Sequence, residues 1–432
     1  MPDLDKTNEE MTSGSAAKRR GRPKRHGRPK KGEPGSNHTA RHERPTELVF
    51  ALDIGTRSVI GIVAEQRDGL LHILATERME HKTRAMLDGQ IHDVPQVAAV
   101  IREVKHRLTE RTGALQSAAV AAAGRALYTM TAEAEQEITG TITSAQQRDL
   151  DFAGVQAAQR KLAHSHTVDD PTRYYCVGYS TIRYTLDDNE LKTLVGQRGR
   201  HAQATVIATF LPRQVVDSMQ SALREAHLEM RALTLEPIAG INVLIPPTMR
   251  HLNLVLVDIG AGTSDVAITR DGSVIAYGMV PMAGDEITEA ISREYLLDFN
   301  VAEDVKRKAA DGQDVSFTDI LGMKLSLTAK QIVTAIRPGI EHLANAIAKQ
   351  ILELNGAPPQ AVMLVGGGSL TPMMPELVAT ALGIPEARVA VRQPNEVDGI
   401  AELPEDLHAP DAVTPLGILK IASINTLHFL AV

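Results

Sequence analysis

Two aspartates at the ends of apolar strands are the residues of this sequence best placed to do chemistry. Asp53 ends the apolar run that begins at Leu48 and is followed by Ile-Gly-Thr. Asp258 ends a similar run and is followed by Ile-Gly-Ala-Gly. Glycine lets the backbone approach a ligand closely, so the amides after each aspartate could bind phosphate oxygens. A carboxylate beside phosphates suits Mg²⁺, which keeps most of its waters and takes one or two protein carboxylates.

Three glycine-containing turns together predict a phosphate-binding cleft. The first lies at 55–58, the second at 260–263, and the third follows the apolar strand 361–365. One such turn after a strand is typical of an ordinary β-turn, whereas two in matching hairpins with a third behind a helix favour a nucleotide site. The predicted contacts are Gly55, Thr56, Arg57, Ser58, Gly260, Ala261, Gly262, Thr263, Gly366, Gly367, Gly368 and Ser369.

An internal repeat indicates two homologous lobes. The strand before Asp53 is echoed by the strand before Asp258, about half of the ordered chain later. Each copy continues into a second apolar strand and then turns through Arg-Asp-Gly, at 67–69 and at 270–272, into a third strand. Two copies of one strand–turn–strand–turn–strand unit predict two lobes with the same central sheet.

Two better-known phosphate motifs are excluded. The P-loop pattern G-x-x-x-x-G-K-[ST] does not occur in the sequence. Gly260 and Gly262 follow a strand, as in a dinucleotide-binding fingerprint, but that fingerprint must open a helix. The segment after Gly262 alternates like a strand, so these glycines predict a hairpin and not a Rossmann fold.

Composition narrows the class of protein. Hydrophobic residues make up 43% and charged residues 23%, as in soluble globular proteins. Aromatic residues are only 3%, which argues against a groove for single-stranded nucleic acid, because such grooves stack bases on aromatic side chains. Cys176 is the only cysteine, so no intramolecular disulfide can form, and a reducing cytoplasm fits. We expect this thiol to be core filler.

The first 46 residues form a basic tail. They carry twelve Lys or Arg and six Asp or Glu, so the net charge of −7 hides an acidic body. A segment with so little apolar surface to bury is expected to be disordered. Within it, Lys18–Lys31 contains two Gly-Arg-Pro-Lys copies similar to AT-hooks, which place Arg in the narrow minor groove of A·T-rich DNA. An anionic membrane surface and a solvated tail that aids solubility are the alternatives.

Alternating strands and helices predict the α/β class. Helical periodicity is present over 94–110, 149–162, 213–225 and 327–354, and the last of these leads into a strand at 361–365. Strands and helices in this order predict sheets that are covered by helices.

Five motifs in family order resemble the superfamily of actin, heat-shock chaperones and sugar kinases, and within it the bacterial cell-division family FtsA. "LDIGTRSVIGIVAE" resembles the first phosphate motif, "LVDIGAGTSDVAI" the second and "VMLVGGGSLTPMMPELV" the adenosine motif. "TLEPIAGINVL" and "TPLGILKIAS" resemble the two connecting segments. The resemblance covers residues 48–422 approximately. It implies an actin-like ATPase fold, with two ribonuclease-H-like lobes around a nucleotide cleft and ATP and Mg²⁺ as cofactors.

The resemblance also implies a role for each motif residue. Asp53 and Asp258 would hold Mg²⁺, largely through water, and Glu236 would orient the attacking water. Pro237 directly after Glu236 leaves a purely structural corner as the alternative. Glu303 and Lys306 match the family's Glu-x-x-Lys helix facing the ribose and base, for which a solvated ion pair is the alternative. Gly284 precedes that helix in the family's Met-Ala-Gly-Asp segment.

The expected domains follow from the same motifs. Residues 1–46 are the basic tail, 47–240 lobe 1 and 241–422 lobe 2, whose second connecting helix is at about 414–423. An FtsA-type α/β subdomain is expected at about 116–203 in lobe 1. Residues 424–432 look like the start of a C-terminal extension, either cut short in a fragment or belonging to a different C-terminal domain. The membrane-binding helix usual in FtsA-like proteins cannot be assigned.

The function implied is that of an FtsA-like, slow ATPase whose assembly is controlled by nucleotide. We expect it in the bacterial cytoplasm, at the inner face of the membrane where it meets division or envelope proteins, with self-assembly into an actin-like polymer. A pilus-assembly-type or nucleoid-linked adaptor that binds ATP without turnover is the first alternative. A small-molecule kinase of the same superfamily is the second.

Overall fold

The two strand–turn–strand repeats form the centres of two lobes. The computed structural model describes residues 48–124, 127–165 and 173–423. The basic tail, Lys18–Lys31 and residues 424–432 therefore lie outside the described residues, and the expectations about them stay predictions.

Lobe 1 contains fifteen elements among its described residues. They are β1 Leu48–Ile54, β2 Ser58–Arg67, β3 Leu70–Glu80, β4 Met86–Leu87, β5 Gln90–Ile91, α1 Val94–Thr112, β6 Ser117–Ala122, β7 Tyr128–Glu137, α2 Ser144–Ala163, β8 Tyr174–Leu186, β9 Asn189–Leu191, β10 His201–Pro212, α3 Arg213–Glu225, β11 Glu229–Leu235 and α4 Glu236–Leu244.

Lobe 2 contains the remaining strands and helices of the described chain. They are β12 Leu254–Ile259, β13 Ser264–Arg270, β14 Ser273–Val280, α5 Gly284–Tyr295, α6 Phe299–Ala310, β15 Val315–Thr318, β16 Lys324–Leu327, α7 Ala329–Asn355, β17 Ala361–Val365, α8 Met374–Leu382, β18 Val389–Val391 and α9 Val413–Ser423.

The central sheets of the two lobes have the same construction. Their strand orders are β11-β6-β1-β2-β3 and β14-β13-β12-β17-β18. In each, three antiparallel strands from the repeat join parallel strands that arrive after helices. The structure thus contains the duplicated unit that the sequence repeat predicts.

The Arg-Asp-Gly turns of the two repeats adopt one conformation. Asp68 and Gly69 have φ values of 52° and 82°, and Asp271 and Gly272 have φ values of 55° and 90°. Positive φ at both central residues is the geometry of the tight hairpin turn whose twist matches that of the flanking strands. Asp and Gly tolerate this conformation, so each repeat fixes the register of its second and third strands.

A four-stranded sheet, β7-β10-β8-β9, stands apart from the main sheet of lobe 1. It begins at Tyr128 and its strand β10 ends at Pro212, with α2 packed on one face through Leu150 and Ala158. The preceding strand β6 lies in the main sheet because it pairs with β1 and β11. The subdomain bounds of about 116–203 stay a prediction beside this arrangement.

Each lobe has its own core, and the two connecting helices pack between them. The core of lobe 1 joins its sheet to α1 and α3, and the core of lobe 2 joins its sheet to α5, α6, α7 and α8. Helices α4 and α9 cross at Gly417, where an added Cβ would lie 2.1 Å from the Ala239 carbonyl oxygen. The backbones are therefore in direct contact, and only glycine fits at this crossing.

Gly417→Ala is expected to destabilise the protein, because its methyl group would meet backbone that cannot rotate away. Overpacking of this kind costs roughly 1–3 kcal/mol, measured as a lower midpoint of urea unfolding. The matched control is Gly339→Ala in α7, where the nearest atoms to an added Cβ are side-chain atoms at 3.6 and 3.7 Å. That change is expected to be neutral or stabilising by up to about 1 kcal/mol from helix propensity. Equal midpoints for the two variants would contradict the close crossing.

Candidate functional site

A cleft of about 420 Å³ lies between the lobes, at the ends of strands β1, β12 and β17. Its walls come from both repeats, from α6 and from the segment before α9. Cavities of this size are typical of sites for small molecules and cofactors. The predicted residues that line it are Asp53, Gly55, Thr56, Arg57, Ser58, Glu236, Asp258, Gly260, Ala261, Thr263, Gly284, Glu303, Lys306, Gly366, Gly367 and Gly368.

The two turns predicted to bind phosphate have matching hydrogen bonds. The Gly55 amide donates to the Ser58 carbonyl at 3.0 Å, and the Gly260 amide donates to the Thr263 carbonyl at 2.9 Å. Gly262 does not line the cavity. An added Cβ there would lie 2.8 Å from backbone atoms of Asp88 in lobe 1. Its predicted role as a phosphate contact stays a prediction, and its structural role is contact between the lobes.

The third turn, at 366–368, lies directly against Asp258. Gly366 has a φ of +78°, and an added Cβ would lie 2.2 Å from Asp258 Oδ1, so both conformation and space require glycine. Ser369 is buried and its hydroxyl donates to the Gly366 carbonyl at 2.7 Å. Ser369 therefore holds the turn in place and, like Gly262, lies outside the lining of the cavity.

The carboxyl groups of Asp53, Glu236 and Asp258 line the floor of the cleft, and that of Asp265 is buried beside Asp258. Burial, followed by the repulsion of Asp258, raises the pKa of Asp53 to about 7. Burial also raises the pKa of Asp258 to about 6, although the Thr414 hydroxyl donates to it, and that of Asp265 to about 7. The pKa of Glu236 rises well above its ordinary value through burial and the charges of the other three. Ionised together, these groups repel one another in a poorly solvated space.

Asp265 was missed in the sequence, although its position in the hairpin could have revealed it. Asp258 and Asp265 are directly opposite in the β12–β13 ladder, so their side chains share one face. Its Oδ1 accepts from the Gly124 amide of lobe 1 at 2.7 Å. Its Oδ2 is buried near the Thr263 hydroxyl, without a partner at hydrogen-bond geometry among the described residues. In the first repeat, Ile60 is opposite Asp53, so only the second repeat carries the paired acid.

An arginine at the rim of the floor was also missed. Arg78 on β3 forms an ion pair with Asp411, which lies just before α9. Both residues line the cleft, and the positive charge of Arg78 opposes the rise in the pKa of Asp53. Neither residue belongs to a motif. The two are 333 positions apart, so no local sequence pattern predicts that they pair.

The carboxylates of the cleft fit Mg²⁺ better than a metal ion that takes all its ligands from protein side chains. Within the described ranges, no group of three or more His, Cys, Asp or Glu side chains has the spacing to hold a metal ion. Mg²⁺ is usually bound by one or two carboxylates, waters and substrate phosphates. Asp53 and Asp258 offer such carboxylates beside the phosphate turns.

The predicted ribose-facing pair is part of a denser ion network. Lys306 Nζ lies 2.7 Å from Glu303 Oε2, and it donates to the Gly284 carbonyl at 2.9 Å and to the Thr288 hydroxyl oxygen at 2.8 Å. Burial opposes ionisation of Glu303, but Lys306, Arg57 and the hydrogen bonds lower its pKa to about 2. The pair is not a solvated one, and both residues line the cleft.

Comparison with known proteins confirms the predicted resemblance and fold. The family model of the cell division protein FtsA matches residues 255–417. FtsA of Bacillus subtilis is 21% identical over 88% of this chain and 84% of its own length, and FtsA of Escherichia coli is 22% identical over 88% and 92%. FtsA of Streptococcus pneumoniae is 22% identical over 80% and 75%.

Two solved structures share the architecture. The PilM–PilN type IV pilus biogenesis complex contains a chain that superposes with a TM-score of 0.64 at 18% identity, covering 88% of this chain and 99% of that one. The ethanolamine utilization protein EutJ from Carboxydothermus hydrogenoformans gives 0.50 at 18% identity, over 87% and 90%. The fold is thus actin-like, with two lobes around a cleft. None of the helices in the described part of the chain combines the length and apolar character needed to cross a bilayer.

The raised pKa of Asp265 predicts a pH dependence of stability in the absence of divalent cations. Its folded pKa of about 7 exceeds the ordinary value of 3.8, so the folded state binds more protons between these values. The stabilisation is complete below about pH 4 and is lost as the pH rises through 7. We expect Asp265→Asn, which keeps the Oδ1 acceptor, to flatten this decline and to exceed the wild type in stability at pH 8, measured by urea unfolding in EDTA.

The matched control for that measurement is Asp217→Asn, an exposed acid on α3. It is expected to reproduce the wild-type pH profile. A wild-type decline that persists unchanged in Asp265→Asn would contradict the assignment of the buried proton to this carboxyl group.

Proposed function

We propose that this FtsA-like chain binds Mg-ATP in the cleft between the lobes of its actin-like fold, hydrolyses it slowly and uses the nucleotide to control assembly with itself and with division or envelope proteins. The observation that carries this proposal is the convergence of two duplicated phosphate turns and a glycine turn on one cavity with an acidic floor. A cation and a polyphosphate together complement that arrangement, because the cation neutralises the carboxylates and the backbone amides donate hydrogen bonds to the phosphate oxygens.

Each part of the cleft has a place in this proposal. The amides of 55–58 and 260–263 would bind phosphate oxygens, and Asp53 and Asp258 would hold the waters of Mg²⁺. The bound cation would neutralise charge that develops on the phosphates during transfer. The adenosine would lie between the α6 residues Glu303 and Lys306 and the turn at 366–368.

Glu236 and Asp265 are the groups that we propose to position the attacking water. Both carboxyl groups have raised pKa values, and Asp265 has a buried oxygen without a hydrogen-bond partner at good geometry. A bound Mg²⁺ would lower both pKa values and favour the carboxylate forms, which accept a proton or a hydrogen bond. No strong general base is needed for slow turnover, since phosphoryl transfer depends chiefly on positioning and charge.

The control of assembly would come from the two lobes sharing one ligand. A triphosphate contacts both turns at once, whereas loss of the terminal phosphate weakens the link between them and lets the lobes rotate. We place the protein in the cytoplasm, at the inner face of the membrane.

An adaptor that binds ATP without turnover is the competing function. The likeness to the PilM chain concerns the fold alone and does not decide between the two, which differ in whether phosphate is released. A metabolite-stimulated turnover would favour the kinase alternative.

Mg-ATP is expected to bind the full chain with a dissociation constant in the micromolar range, about −8 kcal/mol, by isothermal titration. Asp258→Asn keeps an acceptor for Thr414 but removes the charge, and it should weaken binding at least about tenfold. Asp217→Asn serves as the control. Glu236→Gln and Asp265→Asn should retain binding and lose phosphate release. Binding without release in the wild type would favour the adaptor, and no binding at millimolar Mg-ATP would overturn the proposed function.

Assembly has its own measurement in the same preparation. Sedimentation with Mg-ATP, with Mg-ADP and without nucleotide should give different amounts of pelleted protein. Identical pelleting in all three conditions would contradict control of self-assembly by nucleotide.

The basic segment Lys18–Lys31 is proposed as a contact for polyanions. Its nine Lys or Arg should make binding fall steeply with salt. Removal of residues 1–46 is expected to abolish binding to A·T-rich duplexes and to vesicles with anionic lipid, with Mg-ATP binding unchanged. If the chain prefers A·T-rich to G·C-rich duplex, and the double variant Arg22→Ala with Arg28→Ala loses that preference, the partner is DNA. If it binds vesicles and shows no such preference, the partner is the membrane. Retention of both activities after removal of the tail would contradict the proposal.

A further inference from the structure

We propose that Arg57 is a strap that holds the cleft closed and slows the exchange of nucleotide. This inference rests on the proposed function for its ligand, while the closure itself concerns the chain alone. Arg57 lies in the first phosphate turn, directly after Thr56. Its side chain crosses from lobe 1 to helices α5 and α6 of lobe 2, so it does more than present its amide to a phosphate.

The crossing is made by a short, poorly solvated ion pair. Arg57 Nη2 lies 2.7 Å from Asp285 Oδ1 and 3.6 Å from Glu303 Oε2. The side chains of Arg57 and Asp285 are only 20% and 12% exposed. Burial raises the pKa of Asp285, and the neighbouring charges of Arg57 and Lys306 oppose that rise. A pair in such surroundings is screened much less by water and salt than a surface pair.

An aromatic ring adds a second contact between the same elements. The guanidinium carbon of Arg57 lies 5.0 Å from the centroid of Phe299, at the beginning of α6, and that of Arg84 lies 4.4 Å from the same ring. Both distances are within the range of cation–π attraction. Two arginines of lobe 1 therefore hold one ring of lobe 2, and the Arg57 contact is the more buried.

Other ion pairs between the lobes are more exposed. Arg84 pairs with Glu289 at 3.2 Å, with side chains 45% and 38% exposed. Arg307 pairs with Glu80 at 2.7 Å, with side chains 49% and 50% exposed. Exposed pairs contribute little to stability, whereas removal of one partner from a buried pair leaves a charge that cannot be solvated. The Arg57–Asp285 pair is the one of these three whose loss should open the cleft.

Glu303 keeps two cationic partners when Arg57 is removed. Its Oε2 is within 2.7 Å of Lys306 Nζ and its Oε1 accepts from Arg307 at 2.8 Å. Removal of Arg57 therefore leaves the predicted ribose-facing group paired. A variant at this position can release the strap without dismantling the α6 side of the site.

The strap has a defined kinetic consequence. A nucleotide in a closed cleft leaves only after the lobes separate, so the rate of opening limits its exchange. If Arg57 stabilises closure equally with and without nucleotide, its removal raises the association and dissociation rates together and changes the dissociation constant little. A residue that contacted the nucleotide directly would instead lose affinity.

The experiment compares full-length Arg57→Ala, Asp285→Ala, the double variant and the exchanged pair Arg57→Asp with Asp285→Arg. Glu289→Ala is the control, since it removes the exposed pair with Arg84 between the same lobes and leaves both arginines on the Phe299 ring. Amide hydrogen exchange without nucleotide is followed in peptides covering 54–58 and 283–290. Release of a fluorescent ATP analogue is followed after addition of excess ATP.

Both single variants are expected to accelerate amide exchange and analogue release by about tenfold, with no further effect in the double variant and partial restoration in the exchanged pair. Unchanged rates, or additive effects of the two single variants, would overturn the strap. Loss of affinity in Arg57→Ala but not in Asp285→Ala would overturn it in favour of direct contact with the nucleotide. Faster amide exchange without analogue binding to any variant or the wild type would support the strap and refute the proposed function.

Discussion

Mutual repulsion of buried carboxyl groups is the constraint on which the rest of this structure depends. Asp258 and Asp265 stand opposite each other in one β-ladder, and Asp53 and Glu236 face the same space from lobe 1. Like charges directly opposite in a sheet are destabilising. Protons or cations in the cleft are needed to neutralise these groups, and the raised pKa values show that the protonated forms are favoured.

Attraction at the mouth of the cleft offsets repulsion at its floor. Opposite charges pair between α6 and the turn after β1, where Arg57, Lys306 and Arg307 surround Glu303. The lobes are thus drawn together at the mouth and repelled at the floor, with a cavity between. A cationic ligand at the floor would remove the repulsion, and closure would then cost less. In the proposed function, this arrangement would link ligand binding to the relative position of the lobes.

The sequence predicts the fold well because the fold is repetitive and local. Each of its main features can be recognised from a short stretch of sequence: the duplicated strands, the two Asp-Gly turns and the helix before a glycine turn. The structure contains each of them. All the predicted site residues except Gly262 and Ser369 line the cleft, and their roles there stay predictions. Ser369 instead bonds the Gly366 carbonyl of its own turn. Gly262 meets the backbone of Asp88, which no local pattern encodes.

The residues missed in the sequence share one property, since their roles depend on partners distant in the chain. Arg78 and Asp411 belong to no motif, and Asp285 ends the Met-Ala-Gly-Asp segment but was given no role. Arg57 was predicted only for its place in a phosphate turn, whereas its side chain reaches an acid 228 positions away. Asp265 is the exception, because the register of a tight hairpin would have placed it opposite Asp258.

The two connecting helices, α4 and α9, place side chains of the candidate site between the lobes. Glu236 is the first residue of α4, and the Thr414 hydroxyl near the start of α9 donates to Asp258. These two helices meet at backbone contact, where Gly417 lies against Ala239. The residues at the floor and the close crossing therefore belong to the same two helices. Since a packed crossing is stiff, we expect the two helices to move together at this contact, which would connect the acidic floor with the proposed closure by Arg57.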